Sequence, residues 1–258
     1  MKKIKVILAV LLVFVLASSL MACNKIDTMK RIEKDKRIIW GTNAAFPPFE
    51  MRQGDEVIGV DAEIAMKIAE KLGVEVVVED IDFDALPGAL ASGKIDFIAA
   101  GYTVKPDREK QMLFTDKYFK AVQVIIVQEG NTDINGPADL ADKKIGVQNG
   151  TTGDFVAEAL IEGGTGELIR YNNGLEAALE LQNGQLDAII IDNLPAQMIV
   201  NQNEGLKVLD EPADVEEEYA LAVRKGDQEL QAIINEVLKE LSDSGQIDQW
   251  VEEYSFLE

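Results

Sequence analysis

Short apolar runs alternate with amphipathic stretches along most of the chain. The runs at residues 74–78, 95–100 and 143–148 have the length of buried strands. Apolar residues at helical spacing follow Asp61 and Asp227, two side chains that suit helix N-caps. Because strands alternate with helices throughout, the pattern predicts an α/β fold with largely parallel sheets.

Two segments of the chain resemble each other. Residues 89–98 read ALASGKIDFI and residues 180–189 read ELQNGQLDAI, so both run through a glycine turn and an aspartate into a strand. One strand leads to Thr103 and the other ends near Asp192. The similarity suggests two related lobes that face each other. Coincidence is the alternative, since such junctions are common in α/β chains.

Composition and charge narrow the classes of function. The 258 residues are 47% hydrophobic and 28% charged, which is globular composition sufficient for one or two domains. The formal charge of −21 would be repelled by phosphate backbones, so we expect no nucleic acid partner. The chain contains no histidine, which excludes histidine-based catalytic triads and histidine metal ligands. We expect neither a metal nor a cofactor.

The first residues predict export and a lipid anchor. Residues 1–22 carry three lysines and then a 12-residue apolar run at 6–17, as a signal peptide does. The sequence LMAC that ends at Cys23 resembles a bacterial lipobox, in which cleavage leaves a lipidated cysteine, although Met21 is less usual there. The alternative is an ordinary signal peptide with an incidental cysteine. Polar residues 23–35 are predicted to form a tether to the membrane.

The stretch AAGYTVKPDR at residues 99–108 is a candidate ligand clamp. Gly101 permits close backbone approach, and Pro106 suits the first turn of a helix that carries Arg108. A guanidinium in this position can bind a carboxylate or a phosphate through two hydrogen bonds. The alternative is a surface arginine in an ordinary salt bridge.

Two further segments offer polar groups at strand ends. The sequence QNGTTGD at residues 148–154 predicts a strand–loop–helix junction, whose free N–H groups attract anions. It lacks the lysine and the spacing of a P-loop, so nucleotide binding is poorly supported. Asp192 ends the apolar run at 185–191 and could bind a ligand cation, cap the following helix, or do both.

Five motifs occur in the order of a known family. They are GTNAAFPPFE at 41–50, GVDAEI at 59–64, GYTVKPDR at 101–108, VQNGTTG at 147–153 and AIIID at 188–192. Together they resemble the extracytoplasmic solute-binding proteins of ABC transporters for polar amino acids. The resemblance covers nearly all of the chain after the tether.

The resemblance implies a periplasmic-binding-protein-like fold of type II, with two α/β lobes and two hinge crossings. Lobe 1 would contain residues 36–119 and 219–258, and lobe 2 residues 124–214. The hinges would lie near residues 118–122 and 215–219. Closure of the lobes around a ligand is the motion that this family uses.

The resemblance also assigns residues to the two charged ends of a free amino acid. Arg108 would bind the α-carboxylate, together with the backbone N–H groups of Thr103 and Thr152. Asp192, the Thr103 hydroxyl and the Gly101 carbonyl would bind the α-ammonium group. The chemistry fits the residues, because a buried zwitterion needs a cation and an anion as partners.

Four other residues would surround the ligand side chain. Phe46 and Phe83 would hold it between their rings, and Asn43 and Gln148 would reach its distal end. Alternatives are that the aromatic residues are plain core and the amides incidental. The family often has aspartate in place of Asn43 and glycine in place of Thr152, and both departures affect specificity.

These assignments predict a binding protein that is not an enzyme. We expect a monomer that binds a free L-amino acid and delivers it to an ABC permease, and that contacts the membrane only through its lipid. Two neutral amides favour an uncharged polar ligand such as glutamine, with a basic amino acid as the second choice. The rival functions are a ligand-sensing receptor domain and an enzyme on the same fold.

Overall fold

The structure is a computed structural model that describes residues 27–256. The predicted signal peptide, residues 1–22, and the predicted lipidation site, Cys23, lie outside the described residues. Within residues 27–256, no helix combines the length and the apolar character needed to cross a membrane. The same residues contain no cluster of acidic or cysteine side chains that could hold a metal ion.

Helices and strands alternate along the described chain. The helices are α1 Thr28–Asp35, α2 Val60–Leu72, α3 Leu86–Ser92, α4 Pro106–Glu109, α5 Thr152–Ile161, α6 Gly174–Gln182, α7 Asn193–Gln202, α8 Gln228–Asp243 and α9 Gln246–Ser255. The strands are β1 Arg37–Thr42, β2 Ala45–Phe46, β3 Glu50–Gln53, β4 Glu56–Ile58, β5 Glu75–Asp80, β6 Phe97–Ile98, β7 Met112–Gln128, β8 Lys144–Gln148, β9 Glu167–Tyr171, β10 Ala188–Asp192, β11 Leu206–Val208 and β12 Glu216–Arg224.

The strands form one large mixed sheet and one small sheet. The large sheet has the order β5-β1-β6-β12-β7-β10-β8-β9, and β11 pairs with β7. Strand β1 is parallel to β5 and β6, and β8 is parallel to β9 and β10. The central pairs, β6–β12, β12–β7 and β7–β10, are antiparallel. Strands β2, β3 and β4 form a separate antiparallel hairpin sheet.

Strand β7 connects the two parallel halves of the large sheet. Its residues 112–122 pair with β12, and residues 123–126 pair with β10. The predicted hinges, 118–122 and 215–219, therefore fall where β7 and β12 run side by side. The two-lobed α/β fold is confirmed, whereas the exact lobe boundaries stay a prediction.

Each parallel half has its own buried layer. Leu86, Ile95 and Ile98 belong to a cluster on one half, whereas Ile145 and Ile190 belong to a cluster on the other. These layers hold the parallel strands in place, so that the side chains just beyond the strand ends are fixed. Ligands of open α/β sheets bind outside the carboxyl ends of such strands.

Helix α1 corrects the prediction of a tether over residues 23–35. Thr28–Asp35 is helical, and its Ile32 is buried in the main core. The Thr28 hydroxyl donates to Asp227 at 2.7 Å, which joins the helix to residues almost 200 positions away. The tether therefore does not extend into α1, because these contacts hold the helix against the protein.

Candidate functional site

A small cavity lies beyond the carboxyl ends of β6, β8 and β10. The structure brings all nine residues predicted for ligand binding to this cavity, which Glu50, Ala100 and Thr151 also line. The nine are Asn43, Phe46, Phe83, Gly101, Thr103, Arg108, Gln148, Thr152 and Asp192. Their roles toward a ligand stay a prediction.

Arg108 is a buried cation. It lies in the short helix α4, which begins at Pro106 as predicted, and its side chain packs with the guanidinium carbon 4.1 Å from the centre of the Tyr102 ring. The residue is 5% exposed, and among residues 27–256 no carboxylate forms a salt bridge with it. The alternative of a surface arginine in a salt bridge is therefore wrong. A buried guanidinium without an anion is suited to receive one from a ligand.

Gly101 needs to be a glycine. Its φ is +51°, and a Cβ atom there would lie 2.7 Å from the Phe46 ring. Its N–H donates to a carboxylate oxygen of Asp61 at 2.9 Å, which fixes the backbone beside the cavity. Two residues on, Thr103 forms a bridge to Tyr219 of β12 and is buried.

The junction between β8 and α5 forms as predicted. Thr151 is the N-cap of α5 and accepts a hydrogen bond from the Asp154 N–H at 3.3 Å. Thr152, the next residue, is buried at the cavity and its hydroxyl donates to Glu217 at 3.2 Å. The first N–H groups of α5 therefore lie at the cavity, where a helix start favours an anion.

Asp192 is the acidic counterpart of Arg108. It ends β10, is 6% exposed, and accepts a hydrogen bond from the Tyr219 hydroxyl at 2.5 Å. Burial, and then repulsion from Glu217, raise the pKa of Asp192 well above its usual range. The residue occupies the N-cap position of α7, but its side chain makes no capping hydrogen bond. The predicted capping bond is therefore absent, and the predicted ligand-binding role stays a prediction.

The two amides at the cavity bind each other. The Gln148 amide donates to the Asn43 carbonyl oxygen at 3.0 Å and to the Asn172 backbone at 3.2 Å. The Asn43 amide nitrogen donates to the Ile81 carbonyl at 3.0 Å. Both groups of Asn43 thus have a partner, so the residue is not incidental, and its second N–H and second lone pair remain available to a ligand.

The two aromatic residues at the cavity belong to different ring clusters. Phe46 stacks on Phe49, with 6.1 Å between ring centres, and Phe83 packs on Tyr102 at 5.3 Å. Both are buried and line the cavity, so they serve the core and the cavity surface at once.

Glu50 is not among the nine predicted residues, although the sequence left open that it reaches the site. Its neighbours suggest an outward side chain, but the residue is 1% exposed and lines the cavity. In the β2–β3 hairpin it lies opposite Phe46, and this pairing is the signal that could have placed it inside. Burial, and then repulsion from Asp61, raise the pKa of Glu50 well above its usual range.

Asp61 also differs from its prediction as a helix N-cap. Gly59 is the N-cap of α2, and the Asp61 carboxylate instead accepts from the Tyr118 hydroxyl at 2.6 Å and from the Gly101 N–H. Burial raises the pKa of Asp61 to about 6. The Asp61 N–H donates to the carbonyl oxygen of Phe49, the residue before Glu50, at 2.9 Å, so the two acids form a buried pair beside the cavity.

Glu217 is a further acid that the sequence did not indicate. It lies on β12 and accepts from the Gln123 amide at 2.5 Å, and from the Thr152 hydroxyl. It therefore links the paired strands β7 and β12 to the helix start at the cavity. No motif marks this residue, because it lies in the run EEEY, which reads as an exposed acidic stretch.

The chain is similar to known proteins over most of its length. Residues 38–258 match the family model for bacterial extracellular solute-binding proteins, family 3. The arginine-binding extracellular protein ArtP of Bacillus subtilis strain 168 is 32% identical over 89% of this chain and 90% of its own.

Solved structures of similar proteins have the same fold as this chain. A mutant of ArgBP from T. maritima is 35% identical with a TM-score of 0.82, covering 88% of this chain and 98% of its own. An ancestral arginine-binding protein bound to glutamine is 39% identical with a TM-score of 0.79, covering 85% of this chain and 97% of its own. The chain belongs to the bacterial extracellular solute-binding proteins of family 3, which confirms the predicted family and the type II fold.

Proposed function

We propose that the protein binds a free L-amino acid in the cavity between its lobes and delivers it to an ABC importer. The observation that carries this proposal is the presence of one buried guanidinium, Arg108, and one buried carboxylate, Asp192, on the walls of the same cavity. An amino acid zwitterion supplies the missing partner of each charge, and so removes the cost of burying them unpaired.

The α-carboxylate binds Arg108 and the backbone N–H groups of Thr103 and Thr152. The guanidinium donates to the carbonyl oxygens of Thr103, at 2.9 Å, and Gly150, at 3.0 Å. A carboxylate is the stronger acceptor for a guanidinium. The remaining guanidinium N–H groups can therefore form hydrogen bonds with the ligand in which donor and acceptor are both charged.

The α-ammonium group binds Asp192, the Thr103 hydroxyl and the Gly101 carbonyl. Three acceptors match the three N–H donors of the group. Tyr219 holds the Asp192 carboxyl in place through its hydroxyl. Because the ammonium group stabilises ionised Asp192, binding favours loss of any proton held there.

Arginine is the first candidate for the ligand. Its guanidinium can lie against the rings of Phe46 and Phe83, and Glu50 adds a buried acceptor to the cavity. Proteins named for arginine binding are among the similar ones. The second candidate is glutamine, which the sequence favours and which the ancestral arginine-binding protein holds in its structure.

Binding closes the lobes over the ligand. Hydrogen bonds already join the two walls of the cavity, between Asn43 and Gln148 and between Asn149 and Asp84. We assign lobe 1 to residues 36–119 with 219–258, and lobe 2 to residues 124–214. Small-angle scattering tests this motion. The radius of gyration is expected to fall when ligand is added, and a profile that is the same with and without saturating ligand contradicts closure.

The family description places the protein outside the cytoplasm. We propose further that Cys23 carries the lipid that anchors it to the cell membrane, and that it acts as a monomer. Metabolic labelling with a fatty acid tests the anchor. The wild type incorporates the label, and a Cys23→Ser variant does not.

A thermal-shift screen against the twenty amino acids tests the binding function. A ligand at 100 times its dissociation constant adds about 2.7 kcal/mol of stability, which gives a clear shift. Arginine or glutamine is expected to give the largest shift, and Arg108→Ala is expected to remove it. The absence of any shift contradicts the proposal. Mass spectrometry of the recovered ligand distinguishes a binder from an enzyme, which would return a changed molecule.

A further inference from the structure

A buried pair of acids borders the cavity without a cation of its own. Glu50 is 1% exposed and Asp61 is fully buried. In the described part of the chain, neither forms an ion pair with a lysine or an arginine. Two carboxyl groups buried side by side cannot both be ionised at low cost.

The hydrogen bonds around the pair show where its proton lies. Asp61 accepts two hydrogen bonds, from Tyr118 and from the Gly101 N–H, which stabilise its ionised form. Glu50 receives none of these hydrogen bonds, and its Oε2 atom is buried without a hydrogen-bond partner among the described residues. Because no donor within residues 27–256 stabilises its ionised form, Glu50 is the member of the pair that keeps the proton.

We propose that the Glu50–Asp61 pair holds one proton in the ligand-free protein and releases it when the bound amino acid has a cationic side chain. This inference rests on the proposed function. The O–H bond of Glu50 breaks, the proton passes to water, and the ligand's positive charge takes its place beside the carboxylate. A neutral side chain brings no charge to replace the proton, so Glu50 stays protonated and the pair keeps its proton.

Other charged groups near the cavity affect both kinds of ligand alike. Asp192 and Asp80 act on Glu50 through their charge, and Tyr118 bonds to Asp61. Glu217 and Tyr219 act on Asp192, which meets the α-ammonium group of every amino acid, and Arg108 meets every α-carboxylate. The difference between a cationic and a neutral ligand of the same shape therefore isolates the Glu50–Asp61 pair.

L-Arginine and its neutral isostere L-citrulline make this comparison. Calorimetric titrations at pH 7 in two buffers of different ionisation enthalpy give the number of protons released per ligand. Arginine is expected to release about one proton more than citrulline, and the preference for arginine is expected to rise by up to ~10-fold per pH unit. Equal proton release for the two ligands overturns the inference.

The variants assign the effect to Glu50. Glu50→Gln removes the titrating group and is expected to abolish the difference in proton release and its pH dependence. Glu63→Gln is the matched control, because Glu63 lies on the same helix as Asp61 but bonds to Tyr254 instead; it should behave as wild type. A difference that persists in Glu50→Gln overturns the assignment, and if that variant does not fold, the wild-type comparison still decides.

The other outcomes concern which amino acids the protein binds at all. If citrulline does not bind, glutamine serves as the neutral ligand, and if no neutral amino acid binds, arginine alone must release the proton. A protein that binds only neutral amino acids overturns the inference while leaving the proposed function intact. A protein that binds no amino acid overturns the proposed function, and this inference with it.

Discussion

The Nη2 atom of Arg108 donates to the carbonyl oxygen of Gly150 at 3.0 Å. This hydrogen bond joins helix α4 to the loop between β8 and α5, so it connects the two walls of the cavity. The same guanidinium packs on Tyr102 and has no carboxylate partner among the described residues. Arg108 therefore both faces the proposed ligand and holds the cavity closed, and its replacement affects both functions.

The first prediction concerns this arginine. Arg108→Ala should weaken amino acid binding by ~2–5 kcal/mol, because the ligand carboxylate would be buried without its charged partner. Arg108→Lys should also lose most of the affinity, since a lysine cannot offer two parallel hydrogen bonds. Calorimetry measures both. Affinity within threefold of wild type for either variant would exclude Arg108 from the site.

The second prediction concerns contacts across the cavity that a ligand does not touch. The Asn149 amide donates to Asp84 at 2.7 Å at the rim. Asn149→Ala should weaken binding of arginine and glutamine by the same factor, about 2- to 10-fold, because it removes one hydrogen bond of the closed form. A double-mutant cycle with Asp84→Ala checks that the two residues act together. A change in the ratio of the two ligand affinities would place Asn149 in contact with the ligand.

The third prediction concerns selectivity at Asn43. Aspartate in this position would put a charge where Gln148 now donates to a neutral carbonyl oxygen. If the tip of the ligand side chain reaches this residue, Asn43→Asp should shift the preference toward basic amino acids by ~1–3 kcal/mol. Competition binding between arginine and glutamine measures the shift. No change would place Asn43 outside the reach of the ligand.

The fourth prediction concerns the pH dependence of stability. Burial raises the pKa of Asp61 to about 6, above the value of roughly 4 for an unfolded aspartate. A raised pKa means that the folded state holds its proton more tightly. The associated stability is therefore complete below pH ~4 and is lost as the pH rises through about 6, by roughly 1–3 kcal/mol.

Urea unfolding of wild type and Asp61→Asn at several pH values isolates this contribution. The difference between the two free energies of unfolding should change between pH 4 and pH 7, with the wild type losing more stability on the way up. The Glu63→Gln variant serves as the control for the general effect of removing an acid from α2. A difference that is constant over this range would show that Asp61 titrates normally.

Local sequence was sufficient for the part of the site that lies in continuous motifs. Gly101, Thr103 and Arg108 fall within eight residues, and the strand before them and the proline within them fix their relative positions. Asp192 was predictable because it ends a fully apolar strand. In such segments the local backbone determines where the side chain lies.

The remaining features depend on contacts between distant parts of the chain. Glu50 is inside because of its register opposite Phe46, and Asp61 bonds to Gly101, 40 residues later, rather than capping its own helix. Helix α1 is held by Asp227, 199 residues away. Patterns of polar and apolar residues do not reveal such partners, since each residue looks exposed or capping in its local context.

The central claim is that the cavity recognises the two charges of a free amino acid, and the most direct test changes one of them. Whichever amino acid binds most tightly is titrated by calorimetry beside the same compound with its α-carboxylate converted to an amide. The ligand amide cannot pair with the Arg108 charge, so its dissociation constant is expected to be higher by ~30-fold or more. Equal affinity for the two compounds would contradict the account.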